Sequence, residues 1–347
     1  MNFKRFLLIE HLTTDPGEID KRLRKPLTKW EFAGVALALI FPVAVLALSS
    51  VELGGQQAYD FQHYLNSARG DFSFYYYAYW LLPVWSFLDS LPLWLAYLIW
   101  TTISTLAIFF ACRVFGANPA FVLPTFQTFV VLYRGQFTGL LVGGLAIFWW
   151  GLTHKHWYFA GIGLIVAASK YHTGLIPALA LLLSIRMSWK EYAKVFMIPA
   201  IIGIASLVIY PLWPLAILKT YALNPANDWG SIAPWQWIGP LALLVWIPPL
   251  ILKMSWKERV FLLFAATPLG VPYYQQTDLL ILNILPIGWL PLLGNIVFVT
   301  PLLSNLIYPV HKANKILVFI PLLIYLTITI PIIAKAFKAY FIKEENG

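Results

Sequence analysis

The chain has 347 residues, 60% of them hydrophobic and 11% charged, with a mean hydropathy of +0.73. Soluble domains carry about 25% charged residues, so composition excludes an ordinary soluble protein and points to an integral membrane one. The net charge of +9 lies in short blocks between apolar runs, the pattern of positive-inside topology, and this rejects nucleic acid as a partner.

Several apolar runs approach the ~20 residues that cross a ~30 Å hydrocarbon core as helix. They do not alternate polar with apolar, so a porin-like barrel is excluded and the expected fold class is an all-α polytopic membrane protein. Cys112 is the single cysteine, which rules out an internal disulfide and a cysteine metal site. Residues 1–31 form a basic segment, with Lys21, Arg22, Arg24, Lys25 and Lys29 ahead of an apolar run from Phe32 to Leu48. That block predicts a cytoplasmic N-terminus and an uncleaved first span running outward. The preceding FKRFLLIEHL fits an amphipathic helix lying on the inner surface.

Residues 51–91 then make a first outer loop. If a short helix starts near Tyr59, then Asp60, His63, Tyr64 and Ser67 fall at i, i+3, i+4 and i+7, on one face. An ordinary solvated loop with an interfacial helix is the plain alternative. A second interfacial segment is expected over Leu81–Leu88, after Tyr75, Tyr76 and Tyr77, and Leu91-Pro92 opens a span ending near Arg113 and Gly116. Further spans are read over Pro119–Tyr133, from Gly135-Gln136 to His154, over Trp157–Ser169, in to Arg186, and out to Tyr210-Pro211. A second outer loop, 213–235, carries Asn224, Asn227, Asp228, Trp229 and Trp235. Two more spans lead to Tyr273-Tyr274-Gln275-Gln276 and Asp278. From Leu279 to Tyr308 the run is one span plus a re-entrant piece, or two short spans. About eleven or twelve spans are expected in a single domain over 32–342, with 343–347 as a tail. The phrase MSWKE occurs at Met187–Glu191 and at Met254–Glu258 between unlike spans, and is read as coincidence ahead of duplication.

Sorted by this topology, most Lys and Arg fall inside, and the exceptions are Arg69, Arg134, Lys170 and Lys219. The acids placed outside are Glu52, Asp60, Asp71, Asp89, Asp228 and Asp278. Lys170 ends a short span and should sit ~10 Å inside the hydrocarbon edge. An ammonium there is paired or faces a watery cavity; an anionic ligand in a cavity is the preferred expectation, and snorkelling to headgroups the alternative. Arg134, Lys170 and His172 are together suited to clamp a phosphate, beside the helix N-terminus opened by Gly135-Gln136. No Asp-x-Asp or His-x-x-x-His pair lies on the outer side, so no dedicated metal site is expected; with no G-x-G-x-x-G unit or Walker motif, no cofactor is expected either.

The run YRGQFTGLLVGGLAIFWWGLTHKHWYFAGIGLIVAASKYHTGL, from Tyr133 to Leu175, resembles glycosyltransferase family 87. The likeness rests on Gly135-Gln136 opening a span, on Ala160-Gly161 in a small-residue span ending at Lys170, and on Asp60 ahead of Tyr75–Tyr77 and Leu91-Pro92. The chain departs from the family at Ala78-Tyr79-Trp80, where Tyr-Pro-Pro is common, and at Gln275-Gln276, where histidine is common. The resemblance implies a GT-C-type helical bundle in the plasma membrane that moves a hexose, typically mannose, from a polyprenyl-phosphate donor to an extracytoplasmic glycan or glycolipid, with inversion. It implies Asp60 as the general base, with Arg134, Lys170, His172 and Gln136 on the donor phosphate. His63, Tyr64, Tyr274, Gln275 and Asp278 are the expected acceptor contacts. A multi-span transporter or lipid-linked sugar flippase is the main rival, and a docking subunit of an envelope complex the third.

Overall fold

The computed structural model describes residues 12–48, 58–223, 231–297 and 314–345. All but Leu12 of the amphipathic helix expected at the N-terminus lies outside them, as do Glu52, Asn224, Asn227, Asp228 and Trp229. The described residues are helical, with one isolated bridge between Ser231 and Gln275 and no strand.

Helix α1 (Pro16–Arg24) starts where the Asp15 carboxylate accepts from the Gly17 amide at 2.9 Å, with Pro16 at its first position. Helix α2 (Lys29–Leu48) carries the first apolar run. The segment expected as the first outer loop holds two short helices, α3 (Tyr59–Ala68) and α4 (Leu82–Asp89), and α5 (Leu93–Phe115) begins directly after Pro92. Gly116, with φ of +94°, ends α5 in the left-handed conformation that only glycine adopts freely.

The next expected spans are interrupted. Pro119–Tyr133 is split into α6 (Pro119–Val122) and α7 (Phe126–Arg134). Helix α8 (Thr138–Thr153) leaves α7 at 112°. The turn is made by Gly135 at φ +66°, where a Cβ would come within 2.6 Å of Phe61 Cβ. Helices α9 (Trp157–Ala168) and α10 (Tyr171–Leu182) are separated by Ser169 and the non-helical Lys170. That break is pinned from outside the bundle. Trp80 donates its indole N–H to Ser169 Oγ at 2.8 Å, and the Ala78 amide donates to the Ser169 carbonyl at 3.1 Å.

Helix α11 (Trp189–Ile209) follows, then α12 (Trp213–Leu223), so the start of the expected second outer loop is helical. The stretch from 235 to 251 is wound as a short helix α13 (Trp235–Ile238), a 3-10 segment Gly239–Trp246 and α14 (Ile247–Ile251). Pro240, Pro248 and Pro249 remove the amides a longer helix would need. Helix α15 (Trp256–Gly270) leads to a 3-10 turn Gln276–Leu279 and α16 (Leu280–Asn283). The apolar residues 279–290 are thus short buried turns, not a continuous span. The last helix is α17 (Phe319–Glu345).

Three helical stretches among the described residues are long and apolar enough to cross a membrane: Leu93–Phe115, Trp189–Ile209 and Lys315–Lys335. The bent pair α7–α8 makes a fourth if it is one broken span. Several apolar helices therefore fit a helical membrane protein, and the other expected spans are shorter or broken pieces. The core packs α8 against α5 and α9, α9 against α11, and α15 against α10 and α17. Close approach there depends on missing side chains: a Cβ at Gly163 would lie 2.2 Å from the Phe148 amide nitrogen.

Candidate functional site

Four segments distant in sequence bring their polar side chains to the breaks just described. Helix α3 supplies Asp60, the α7–α8 bend supplies Arg134, Gln136 and Thr138, the α9–α10 break supplies Lys170, and the turn after α15 supplies Gln275, Thr277 and Asp278. Two anchors on α5 hold the bend in place. Tyr97 donates to the Leu132 carbonyl at 2.8 Å, and the Trp100 indole donates to the Gly135 carbonyl at 2.8 Å.

A continuous polar chain runs through these groups. Asp60 Oδ2 lies 2.8 Å from Arg134 Nε, and Gln136 Nε2 donates to the same oxygen at 3.1 Å. Gln136 Nε2 also donates to Gln275 Oε1 at 2.8 Å, and its Oε1 accepts from Thr277 at 3.0 Å. Thr138 donates to Asp278 Oδ1 at 2.7 Å, and Lys170 Nζ reaches the same oxygen at 2.5 Å. The Gln275 amide donates to Asp278 Oδ2 at 3.3 Å.

The two ends of the chain differ. At the Asp60 end the carboxylate side chain is 16% exposed and Arg134 26%. Among the described residues Asp60 Oδ1 has one long contact, 3.5 Å from an Arg134 terminal nitrogen. Arg134 Nε is shielded from solvent in this ion pair, so the exposed part of the guanidinium is its terminal nitrogens. The guanidinium lies 5.1 Å from the centre of the Tyr59 ring. This end holds a partly open cation and a carboxylate oxygen with spare accepting capacity. At the other end Lys170 and Asp278 side chains are 3% and 0% exposed and neutralise each other.

That closed pair corrects the expectation that Lys170 faces an anionic ligand in a cavity: its counter-ion is Asp278, from 108 positions later in the chain. Asp278 is equally withdrawn from an acceptor role. Tyr64 is also corrected. It is buried against Trp85, donates to the Tyr77 hydroxyl at 2.9 Å and accepts from the Phe137 amide at 3.2 Å, so it holds α3 to the bend. Burial and the nearby Asp60 charge push its phenol well above the usual range. Tyr274 is fully buried and donates to the Asp278 carbonyl at 2.8 Å, fixing the turn. Ser67 closes back on the Tyr64 carbonyl at 2.6 Å, so α3 does not present one polar face.

His63 packs its ring against Tyr59 at 4.5 Å and Phe74 at 5.1 Å. Burial holds its pKa below the ordinary value, partly offset by Asp60 and Asp71. His172 lies beside Tyr273, ring centres 6.1 Å apart, and Gln275 Nε2 donates to the Tyr273 hydroxyl at 2.6 Å. Thr138 and Thr277 are the members that sequence reasoning missed. Both are small and uncharged, and only their place beside Gln136 and Asp278 gave a signal. Among the described residues no group of three His, Cys, Asp or Glu is placed to hold a metal ion.

Arg69 is accounted for by Asp89, with nitrogen and oxygen 2.6 Å apart. Three of the four cations expected outside, Arg69, Arg134 and Lys170, thus pair with three of the acids expected there, Asp89, Asp60 and Asp278. No protein-family model matches the chain, and no curated protein or solved structure matches it.

Proposed function

We propose that this protein is a membrane hexosyltransferase of the GT-C type, in a bundle of about eleven or twelve whole and broken apolar segments. It takes a hexose, mannose in the first instance, from a polyprenyl-phosphate donor and passes it to an extracytoplasmic glycan or glycolipid. The observation that carries this is the open end of the polar chain, where Asp60 Oδ1, with one long contact, lies beside the partly exposed Arg134 guanidinium. In the proposed step Asp60 Oδ1 takes the proton from the acceptor hydroxyl as that oxygen bonds to the anomeric carbon. The bond from that carbon to the phosphate oxygen breaks on the opposite face, and its electron pair leaves with the polyprenyl phosphate. Arg134 meets the developing phosphate charge in a site partly shielded from water, where such contacts are strongest. Gln136 orients Asp60, and Gln275 steadies Gln136. Lys170 and Asp278 act one layer further in, clasping the α9–α10 break to the turn after α15.

One observation favours a transporter as the second reading: a buried ion pair where broken helices meet is the usual place for coupled transport. Sealed vesicles containing the full-length protein and radiolabelled polyprenyl-phosphate mannose separate the two. A new glycosidic product in the lipid or glycan fraction supports transfer. Label crossing the bilayer on an unchanged carrier, with no product, supports transport.

A further inference from the structure

The opposite end of α5 carries a second polar cluster. From Trp100, beside the α7–α8 bend, to Arg113 the helix rises ~20 Å at about 1.5 Å per residue. There α1, α2 and the end of α5 enclose a cavity of about 240 Å³ lined by Arg22, Lys25, Thr28, Glu31, Arg113 and Asn118.

Part of this cluster is structural. Arg113, 5% exposed, donates to the Arg22 carbonyl at 3.1 Å and pairs with Glu31 at 3.2 Å, tying α5 to α1 and α2. The α5 C-terminus favours a cation for the same reason that any helix end does. Two facts remain. The Arg113 Nε–H and one terminal nitrogen of Arg22 are buried without a hydrogen-bond partner among the described residues. That Arg22 nitrogen rests where a Cβ on Gly116 would be, 2.4 Å away. Of the three cations lining the cavity, Arg22 pairs with Glu18 through its other terminal nitrogen and Arg113 pairs with Glu31, which also accepts from the Thr28 amide at 2.8 Å. Lys25 has no carboxylate partner among the described residues, so the cavity offers two unmatched guanidinium donors and one unpaired ammonium. Ordered water is the other group that would satisfy the two donors.

We infer that this cavity binds a phosphate group, the headgroup of an anionic lipid, between Arg22, Lys25 and Arg113. Guanidinium forks suit phosphate oxygens, and basic pockets at helix ends near a membrane surface suit lipid headgroups. The volume lies below the ~300–1,000 Å³ of pockets that enclose whole small molecules. A headgroup fits with its acyl chains outside. The site is separate from the Asp60 network and does not rest on the transferase reading.

The test is native mass spectrometry of the full-length protein in neutral detergent, titrated with short-chain phosphatidylglycerol, phosphatidylcholine or inorganic phosphate. Arg22→Gln/Lys25→Gln is compared with wild type and with the charge-keeping Arg22→Lys/Lys25→Arg. Arg113 is left alone, since its loss would strand Glu31. The expected result is phosphatidylglycerol bound at least tenfold more weakly by the glutamine variant, near-wild-type binding by the charge-keeping one, and no difference for phosphatidylcholine. If inorganic phosphate alone shows that pattern, the phosphate site stands with a free anion as its occupant. Equal binding of both anions by wild type and the glutamine variant overturns the proposal, as does equal loss in both variants.

Discussion

Asp278 accepts from Thr138 and Lys170 with one oxygen and from the Gln275 amide with the other, in a place water does not reach. Removing one member of such a pair strands the other charge, which costs about 3–5 kcal/mol, whereas replacing both with apolar groups is often close to neutral. Lys170→Met and Asp278→Asn should therefore each lower the thermal midpoint of the purified protein steeply, and Lys170→Met/Asp278→Leu should recover most of the loss. Harmless single substitutions would remove the clasp. His63 is a case where pH supplies the perturbation. Its folded pKa is depressed, so its contribution to stability is complete above about pH 6.5, the ordinary imidazole value. That contribution is lost as pH falls through the lowered folded value. Melting curves between pH 7 and pH 5 should show wild type losing more stability than His63→Asn. Parallel losses would contradict the shift.

Among the elements, the repeated MSWKE phrase has a local cause. In both copies the serine precedes a helix and the glutamate three residues on turns back to it. The Ser188 amide donates to Glu191 Oε2 at 2.7 Å, and the Ser255 amide to Glu258 Oε2 at 3.1 Å. Ser255 Oγ also accepts from the Glu258 amide at 3.2 Å, closing the box. The repetition is two helix starts capped in the same style. Ser255→Ala should cost about 1 kcal/mol, the usual worth of such a cap, read as a small fall in thermal midpoint. The small-residue span around Ala160-Gly161 likewise has a packing cause. Gly161 meets the Val195 carbonyl of α11 and Gly163 meets the backbone of α8, each within 2.5 Å of where a Cβ would sit. Gly163→Leu should abolish recovery of folded protein from membranes, while Gly203→Leu on α11, with open space around it, should be recovered normally. Equal recovery would mean that α8 and α9 do not pack this closely.

At the scale of the whole molecule, the existence of several helices was legible because their starts have a local signal. Asp15 before Pro16, Pro92 before α5, and Ser188 and Ser255 with their glutamates are readable without the fold. That Arg69, Arg134 and Lys170 stand apart from the other cations was also legible from the expected positive-inside topology, and each pairs with an acid. Their partners were not. The contact between Lys170 and Asp278 spans 108 positions and depends on two helix breaks meeting, which no local pattern encodes. Tyr64 and Tyr274 were misassigned for a related reason. A phenol reads the same in sequence whether it touches a sugar or the backbone of a neighbouring turn, and here it does the latter. Apolar length misled at 235–251 and 279–290, where prolines and burial from several sides replace a spanning helix by short turns.

These scales meet at one carboxylate, Asp60, held by Arg134 and Gln136 with its Oδ1 in a single long contact, the oxygen proposed to take the hydroxyl proton. Asp60→Asn keeps the shape of that side chain and removes its basicity. Its most direct test is sugar transfer from radiolabelled polyprenyl-phosphate mannose in membranes holding equal amounts of wild-type and variant protein. The expected result is loss of transfer with donor binding largely retained, and transfer at the wild-type rate would contradict the assignment of Asp60 as the base.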